Sequence, residues 1–117
     1  MSFKKLSQNL TIIVPTHERP ISLKRQIDYI KAHDEKINIL ILDSSRKHKK
    51  EFKNNKNYFH IRGKNANIKI SKILNKINTK YVVTIGDDDF LIFTSLYKYL
   101  KFLEKNKEYD GVHGEYL

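Results

Sequence analysis

The sequence contains no cysteine in its 117 residues. This excludes disulfide scaffolds, zinc sites built on thiolates and cysteine nucleophiles, and nothing points to an oxidising compartment. Long apolar runs are also missing, because the longest, Ile37–Leu42, is far shorter than the roughly 20 residues of a membrane-spanning helix. The N-terminus lacks the apolar stretch of a signal peptide. We therefore expect a cytoplasmic protein whose membrane contact, if any, is peripheral and on the inner face.

Acidic residues are few compared with basic ones. The chain has 13 Asp and Glu against 23 Lys and Arg, a formal net charge of +10. A field of this sign favours partners that carry phosphate, and nucleic acid, a nucleotide sugar and an anionic lipid surface all satisfy it. Codon bias explains part of the lysine excess equally well. With no repeat, low-complexity tract or linker, we expect residues 1–117 to form one domain.

Four segments are predicted to be β-strands. Three of them are apolar and rich in β-branched residues, which is typical of strands buried in a core, and Pro15 is expected to end the first. The fourth is predicted to be a short edge strand. The four segments are Leu10–Val14, Ile37–Leu42, Tyr81–Ile85 and, at the edge, Tyr58–Ile61. Arg46–Asn57 is so polar and basic that a solvated loop or a frayed helix is expected there.

Three helices are predicted from apolar residues spaced three and four apart. The first begins at Pro20 and buries Leu23, Ile27 and Ile30; the second is capped by Asn65 or Asn67 and buries Ile70, Ile73, Leu74 and Ile77; the third is capped by Thr94 or Ser95 and buries Leu96, Leu100 and Leu103. Strands that alternate with helices predict an α/β fold, with a mostly parallel, Rossmann-like sheet flanked by helices.

Polar side chains follow each of the three predicted core strands. Ligands bind beyond the carboxyl ends of the strands in such sheets, which selects the loops Pro15–Arg19, Asp43–Ser45 and Asp87–Asp89. Three consecutive carboxylates repel one another, and a divalent ion such as Mg²⁺ or Mn²⁺ is the simplest compensation. The alternative for an isolated acidic triplet is a solvated turn that caps a helix.

Three stretches resemble the opening of family 2 glycosyltransferases, which have the GT-A fold: TIIVPTHERP, ILILDSS and KYVVTIGDDDF. Their order and spacing match that family. The resemblance implies that Pro15, Thr16 and Arg19 contact a nucleotide. It also implies that Asp43 meets the base.

The same resemblance identifies the aspartate triplet as a DxD motif. It implies that Asp87 lies near the ribose and on the metal, and that Asp89 binds the Mg²⁺ or Mn²⁺ that bridges the diphosphate. In the same interpretation, Asp88 can take the role of either neighbour. Asn67 and Lys69 are implied to reach the nucleotide. The partners would be a nucleotide-diphosphate sugar and a glycan or lipid-linked acceptor, as in bacterial polysaccharide biosynthesis.

The chain departs from the family in one respect. The family's acceptor site and catalytic base lie well downstream of the DxD motif, whereas this sequence stops at Leu117. We therefore expect the nucleotide-sugar-binding front half of an enzyme for inverting transfer, which transfers sugar weakly or not at all. Two alternatives stay open. One is metal-dependent phosphoryl transfer on nucleic acid that uses Glu18, and the other is a non-catalytic module in which Arg46–Lys56 binds polyanions.

Overall fold

A parallel β-sheet forms the centre of the molecule. In the computed structural model, which describes residues 8–47, 57–62 and 65–113, the sheet has four strands in the order β3-β2-β1-β4, and every neighbouring pair is parallel. The strands are β1 (Leu10–Thr16), β2 (Asn38–Asp43), β3 (Tyr58–His60) and β4 (Tyr81–Thr84). The predicted α/β class with a Rossmann-like sheet is confirmed.

β1 continues past Pro15 to Thr16, so the prediction that Pro15 ends this strand was wrong. Successive residues of a parallel strand direct their backbone polar groups to opposite neighbours. Ile13 O accepts from Ile85 N on the β4 side at 3.0 Å, and Thr16 O accepts from Ser44 N on the β2 side at 3.1 Å. Pro15 shares the orientation of Ile13, so its missing N–H falls where pairing with β4 has already ended. β4 separates from β1 at this point.

The first and last helices agree with prediction in their buried faces. α1 (Pro20–His33) begins at Pro20 and buries Leu23, Ile27 and Ile30. In the last helix, which spans Phe93–Lys105, Leu96 and Leu100 are buried and Leu103 is half-buried. Its N-cap is Ile92, however, and not Thr94 or Ser95. The helix begins earlier than predicted, at the buried residue Phe93, so Thr94 and Ser95 lie inside its first turn.

The predicted middle helix is much shorter than its apolar pattern indicates. α2 spans Ala66–Ser71, and the side chain of Asn65 caps it by accepting from Ile68 N at 3.0 Å, as predicted. A 3₁₀ turn follows at Leu74–Lys76. Because a 3₁₀ turn repeats every three residues, the apolar phase shifts, and Leu74 is 59% exposed although it was predicted to be buried. The last helix, Phe93–Lys105, is α3.

The two faces of the sheet are covered differently. On one face, strand side chains pack with α1 and α3 in the larger cluster of the core. On the other face, a smaller cluster consists of Ile13, Leu40, Leu42 and Ile73. Within the described residues, no helix is long and apolar enough to cross a membrane.

β4 lies at an edge of the sheet that the described residues form, although its sequence predicted a core strand. Val83 packs against the larger cluster, but Val82 and Thr84 on the opposite face are exposed. The smaller cluster does not extend as far as β4 in the described part of the chain. The short edge strand predicted from Tyr58 is confirmed as β3. Of the segment predicted to be a solvated loop, residues 48–56 lie outside the described residues.

Candidate functional site

The carboxyl ends of β1, β2 and β4 meet at one edge of the sheet. Thr16 at the end of β1 pairs in register with Asp43 at the end of β2. The Thr16 hydroxyl donates to Asp87 Oδ2 at 2.6 Å, and Asp87 is buried in the loop that follows β4. The acidic ends of β2 and β4 are therefore joined through Thr16, the last residue of β1, which lies between them.

Arg19 bridges two of the three consecutive aspartates. Its Nη1 donates to Asp87 Oδ1 at 3.2 Å and to Asp88 Oδ2 at 2.9 Å. Hydrogen bonding to Asp88 and then to Asp87 raises the pKa of Arg19 above its ordinary value. The same contact with Arg19 holds the pKa of Asp88 below the usual range. The loop after β1 is thus tied to the loop after β4 by a fully charged guanidinium.

Asp43 is enclosed by its own neighbours. The residue is only 1% exposed; Oδ1 accepts from Ser45 N at 2.9 Å and from Ser45 Oγ at 2.5 Å, and Oδ2 accepts from the Tyr58 hydroxyl. Burial is the largest single influence on this carboxyl and disfavours its ionised form. The hydrogen bonds from Ser45 and Tyr58 and the electrostatic influence of His60 together outweigh burial, so the pKa of Asp43 lies below its ordinary value.

Lys69 lies between the two acidic strand ends. Its side chain is buried, and Nζ donates to Thr16 O at 3.2 Å and to Ser44 Oγ at 3.1 Å. Burial lowers the pKa of Lys69, while the negative charges of Asp43 and Asp87 oppose that shift. A helix residue thus supplies an internal cation that faces both carboxylates.

Asp89, which the resemblance puts on the metal, is exposed and lies over Gly86. A Cβ added to Gly86 would meet Asp89 Oδ2 at 2.9 Å and Asp88 Oδ1 at 3.4 Å. Oxygens of two carboxylates therefore border one small space, and such oxygens suit Mg²⁺ or Mn²⁺ in kind. Among the described residues, no three His, Cys, Asp or Glu side chains are grouped to hold a metal ion. Arg19 is the cation that contacts Asp87 and Asp88.

Two side chains of α1 that sequence reasoning missed support the acidic loop. Gln26 Nε2 donates to Gly86 O at 2.8 Å and to Asp89 O at 2.5 Å, and the Tyr29 hydroxyl donates to Leu91 O at 2.7 Å. Gln26 is buried on the same helical face as its apolar neighbours. The sequence did hold a signal for this role, because Gln26 is a polar residue three positions after Leu23 on the apolar face of the helix.

The turn after β1 is fastened to the loop after β2. His17 Nδ1 lies 3.0 Å from both the carbonyl oxygen and the hydroxyl of Ser44. Glu18, whose φ is 54°, donates its N–H to Ser45 Oγ at 2.7 Å, and its Oε1 accepts from Arg46 N at 2.6 Å. An open cavity of about 470 Å³ is lined by His17, Glu18, Arg46 and Lys47.

Most of the predicted site residues lie together. The group joined by these contacts consists of Thr16, Arg19, Asp43, Lys69, Asp87 and Asp88. Pro15 lies half-buried in β1 directly before Thr16. Asn67 is exposed on α2 outside this group, and the cap of that helix is Asn65.

Known proteins give no independent identification of the chain. Comparison with family models, with curated proteins and with solved structures found no match. The resemblance to family 2 glycosyltransferases therefore stays a prediction from the three sequence motifs. The geometry at the carboxyl ends of the strands is the structural support for a function.

Proposed function

We propose that this chain binds a nucleotide-diphosphate sugar, together with a divalent cation, as the donor-binding part of a family 2 glycosyltransferase. One observation carries the proposal. The three motifs of the resemblance meet at a single sheet edge, joined by the hydrogen bond from Thr16 to Asp87 and by Lys69 between Asp43 and Asp87. In open parallel sheets this edge is where ligands bind.

Charge at the site supports a diphosphate as the anionic part of the ligand. Arg19 is half exposed at this edge, and its planar guanidinium suits phosphate oxygens. Lys69 adds a second cation, and the net charge of +10 attracts anions from a distance. The ribose would lie against Asp87. A base contact by Asp43 would require this buried carboxylate to become accessible, since Asp43 is enclosed by Ser45 and Tyr58.

Asp87 and Asp89 would hold Mg²⁺ or Mn²⁺, which acts as a Lewis acid and stabilises the charge that develops on the departing diphosphate. The transfer itself would be a displacement at the anomeric carbon by an acceptor hydroxyl, with inversion of configuration. Arg19 would orient the diphosphate, and Thr16 would keep Asp87 in place. The acceptor would be a glycan or a lipid-linked sugar, and its hydroxyl needs a general base.

Calorimetry with Mn²⁺ and the nucleoside diphosphates UDP, GDP, ADP, CDP and dTDP tests the proposal. We expect one of them to bind only when Mn²⁺ is present, and Asp89→Asn to weaken that binding by about tenfold or more, since one charged metal ligand is lost. Asp110→Asn is the matched control, because Asp110 is an exposed aspartate outside the site. Equal affinity of the wild-type and Asp89→Asn chains would contradict the proposal.

Phosphoryl transfer on nucleic acid is the rival interpretation, with Glu18 as its additional acid. Glu18 Oε1 accepts from the Arg46 amide on the β2 side of the site, so this contact draws Glu18 toward the loop after β2. A titration with single-stranded and duplex DNA separates the two functions. Tight binding that falls steeply with salt, together with cleavage that requires Mn²⁺, would favour the rival.

A further inference from the structure

The cation that neutralises the acidic loop is part of the chain itself. A single Arg19 nitrogen contacts one oxygen of Asp87 and one oxygen of Asp88, at 3.2 and 2.9 Å. Arg19 belongs to the turn after β1, and its backbone oxygen accepts the first helical hydrogen bond of α1, from Leu23 N. Its position is therefore fixed at the backbone, while its side chain reaches across to the loop after β4.

A divalent ion that enters this loop meets Arg19 directly. Both cations use carboxylate oxygens of the same consecutive aspartates, and two cations at such short range repel one another strongly when they are partly shielded from water. The Arg19 guanidinium and a metal ion on Asp87 therefore compete. Asp89 does not take part in the Arg19 contact. Its carboxylate is exposed, so a metal ion can bind there first.

The Arg19 contact is suited to exchange. The side chains of Arg19 and Asp88 are 54% and 58% exposed, and an ion pair so open to water adds little to the stability of a fold. Only one guanidinium nitrogen makes both contacts, whereas a guanidinium binds phosphate oxygens best through two nitrogens at once. A diphosphate therefore offers Arg19 a better partner than the aspartates do.

We infer that Arg19 is an exchangeable counterion, which occupies the acidic loop in the ligand-free chain and moves to the diphosphate when the nucleotide binds, so that the metal ion can enter. This inference rests on the proposed function for its second half, the transfer to a diphosphate. It makes the binding of metal and nucleotide cooperative, because each removes an obstacle to the other. Such coupling is reciprocal, and the metal must tighten nucleotide binding by the same factor.

The decisive experiment measures Mn²⁺ binding without nucleotide, by electron paramagnetic resonance of the free ion. Arg19→Gln removes the internal cation, and we expect it to bind Mn²⁺ about fivefold more tightly than the wild-type chain. Lys24→Gln is the matched control, because Lys24 also forms an exposed ion pair, but with Asp28 on the surface of α1, outside the acidic loop. That control should change the affinity by less than about twofold. Thermal unfolding, followed by circular dichroism, checks that the variants are folded.

A second measurement repeats the titration with saturating UDP, GDP, ADP, CDP or dTDP. For the nucleotide that binds, the wild-type chain should gain more Mn²⁺ affinity than Arg19→Gln gains. Equal or weaker Mn²⁺ binding by Arg19→Gln without nucleotide overturns the inference, and so does the absence of Mn²⁺ uptake by both proteins. If Arg19→Gln binds Mn²⁺ more tightly but no nucleoside diphosphate binds either protein, the counterion role stands and the proposed function fails.

Discussion

The acidic ends of β2 and β4, which lie on either side of β1, share one edge of the sheet, yet their carboxylates are held in opposite ways. Asp43, at the end of β2, is buried and accepts hydrogen bonds from Ser45 on one oxygen and from Tyr58 on the other. Asp88, after β4, is mostly exposed and is held by the equally exposed Arg19. We call these the enclosed end and the open end.

The difference separates two physical tasks. At the enclosed end, neutral donors within the fold satisfy the charge, so Asp43 contributes to the structure whether or not a ligand binds. At the open end, the partner is an exposed cation on a long side chain, which a ligand can reach. Lys69 donates to Thr16 O between the two ends, and its charge interacts with both Asp43 and Asp87. We therefore expect changes at the enclosed end to act mainly on folding and changes at the open end to act mainly on binding.

The largest expected effect on stability comes from Asp43→Ala. The change leaves the Ser45 amide, the Ser45 hydroxyl and the Tyr58 hydroxyl without their acceptor in a buried place, which costs about 3 kcal/mol of unfolding free energy. Urea denaturation followed by circular dichroism measures it. Asp28→Ala, which removes an exposed carboxylate from α1, is the control and should cost less than about 0.5 kcal/mol. A similar small loss for Asp43→Ala would show that the enclosed end is not structural.

A smaller loss is expected from Gln26→Leu, which removes the amide that supports the open end and puts an apolar side chain of similar size in its place. The carbonyl oxygens of Gly86 and Asp89 lose their buried donor, at a cost of about 2 kcal/mol. Part of the cost is offset, since Gln26 Oε1 has no hydrogen-bond partner among the described residues. Hydrogen exchange should accelerate at the amide of Asp89.

Tyr29→Phe is the graded control for that experiment. It removes a single hydrogen bond to Leu91 O, farther along the same loop, and should cost about 1 kcal/mol. If Gln26→Leu leaves both the stability and the exchange rate of the Asp89 amide unchanged, α1 does not position the acidic loop. The enclosed end and the open end would then differ only in how exposed their carboxylates are.

The sequence predicted the strands and their shared edge better than it predicted the side-chain contacts at that edge. Apolar, β-branched runs identified β1 and β2, and the rule for parallel sheets brought Asp43 and Asp87 to one edge. The choice of partners was not predictable, because the contact of Tyr58 with Asp43 and that of Arg19 with Asp88 depend on side-chain rotamers and on strand order. Periodicity did not reveal the early end of α2 either, since the apolar spacing up to Leu74 fits an uninterrupted helix.

The smallest expected effect is a pH dependence that tests the charge at the enclosed end. The pKa of Asp43 in the folded chain lies below the ordinary value of 3.8. The stability that ionised Asp43 contributes is therefore fully present above that value and is lost as the pH falls through the lower pKa of the folded state. Asp43→Asn keeps the shape of the side chain but cannot titrate.

Urea denaturation of the wild-type and Asp43→Asn chains at pH about 5 and at pH about 2.5 measures this contribution, and we expect the difference in unfolding free energy between them to shrink at the lower pH. The change should be smaller than the loss in Asp43→Ala, because only the charge and not the hydrogen bonding is removed. If the difference grew on acidification, burial would outweigh the donors of Ser45 and Tyr58, and the pKa of Asp43 would lie above its ordinary value. The enclosed end would then favour a neutral carboxyl, and the counter-charge of Lys69 would act on Asp87 alone.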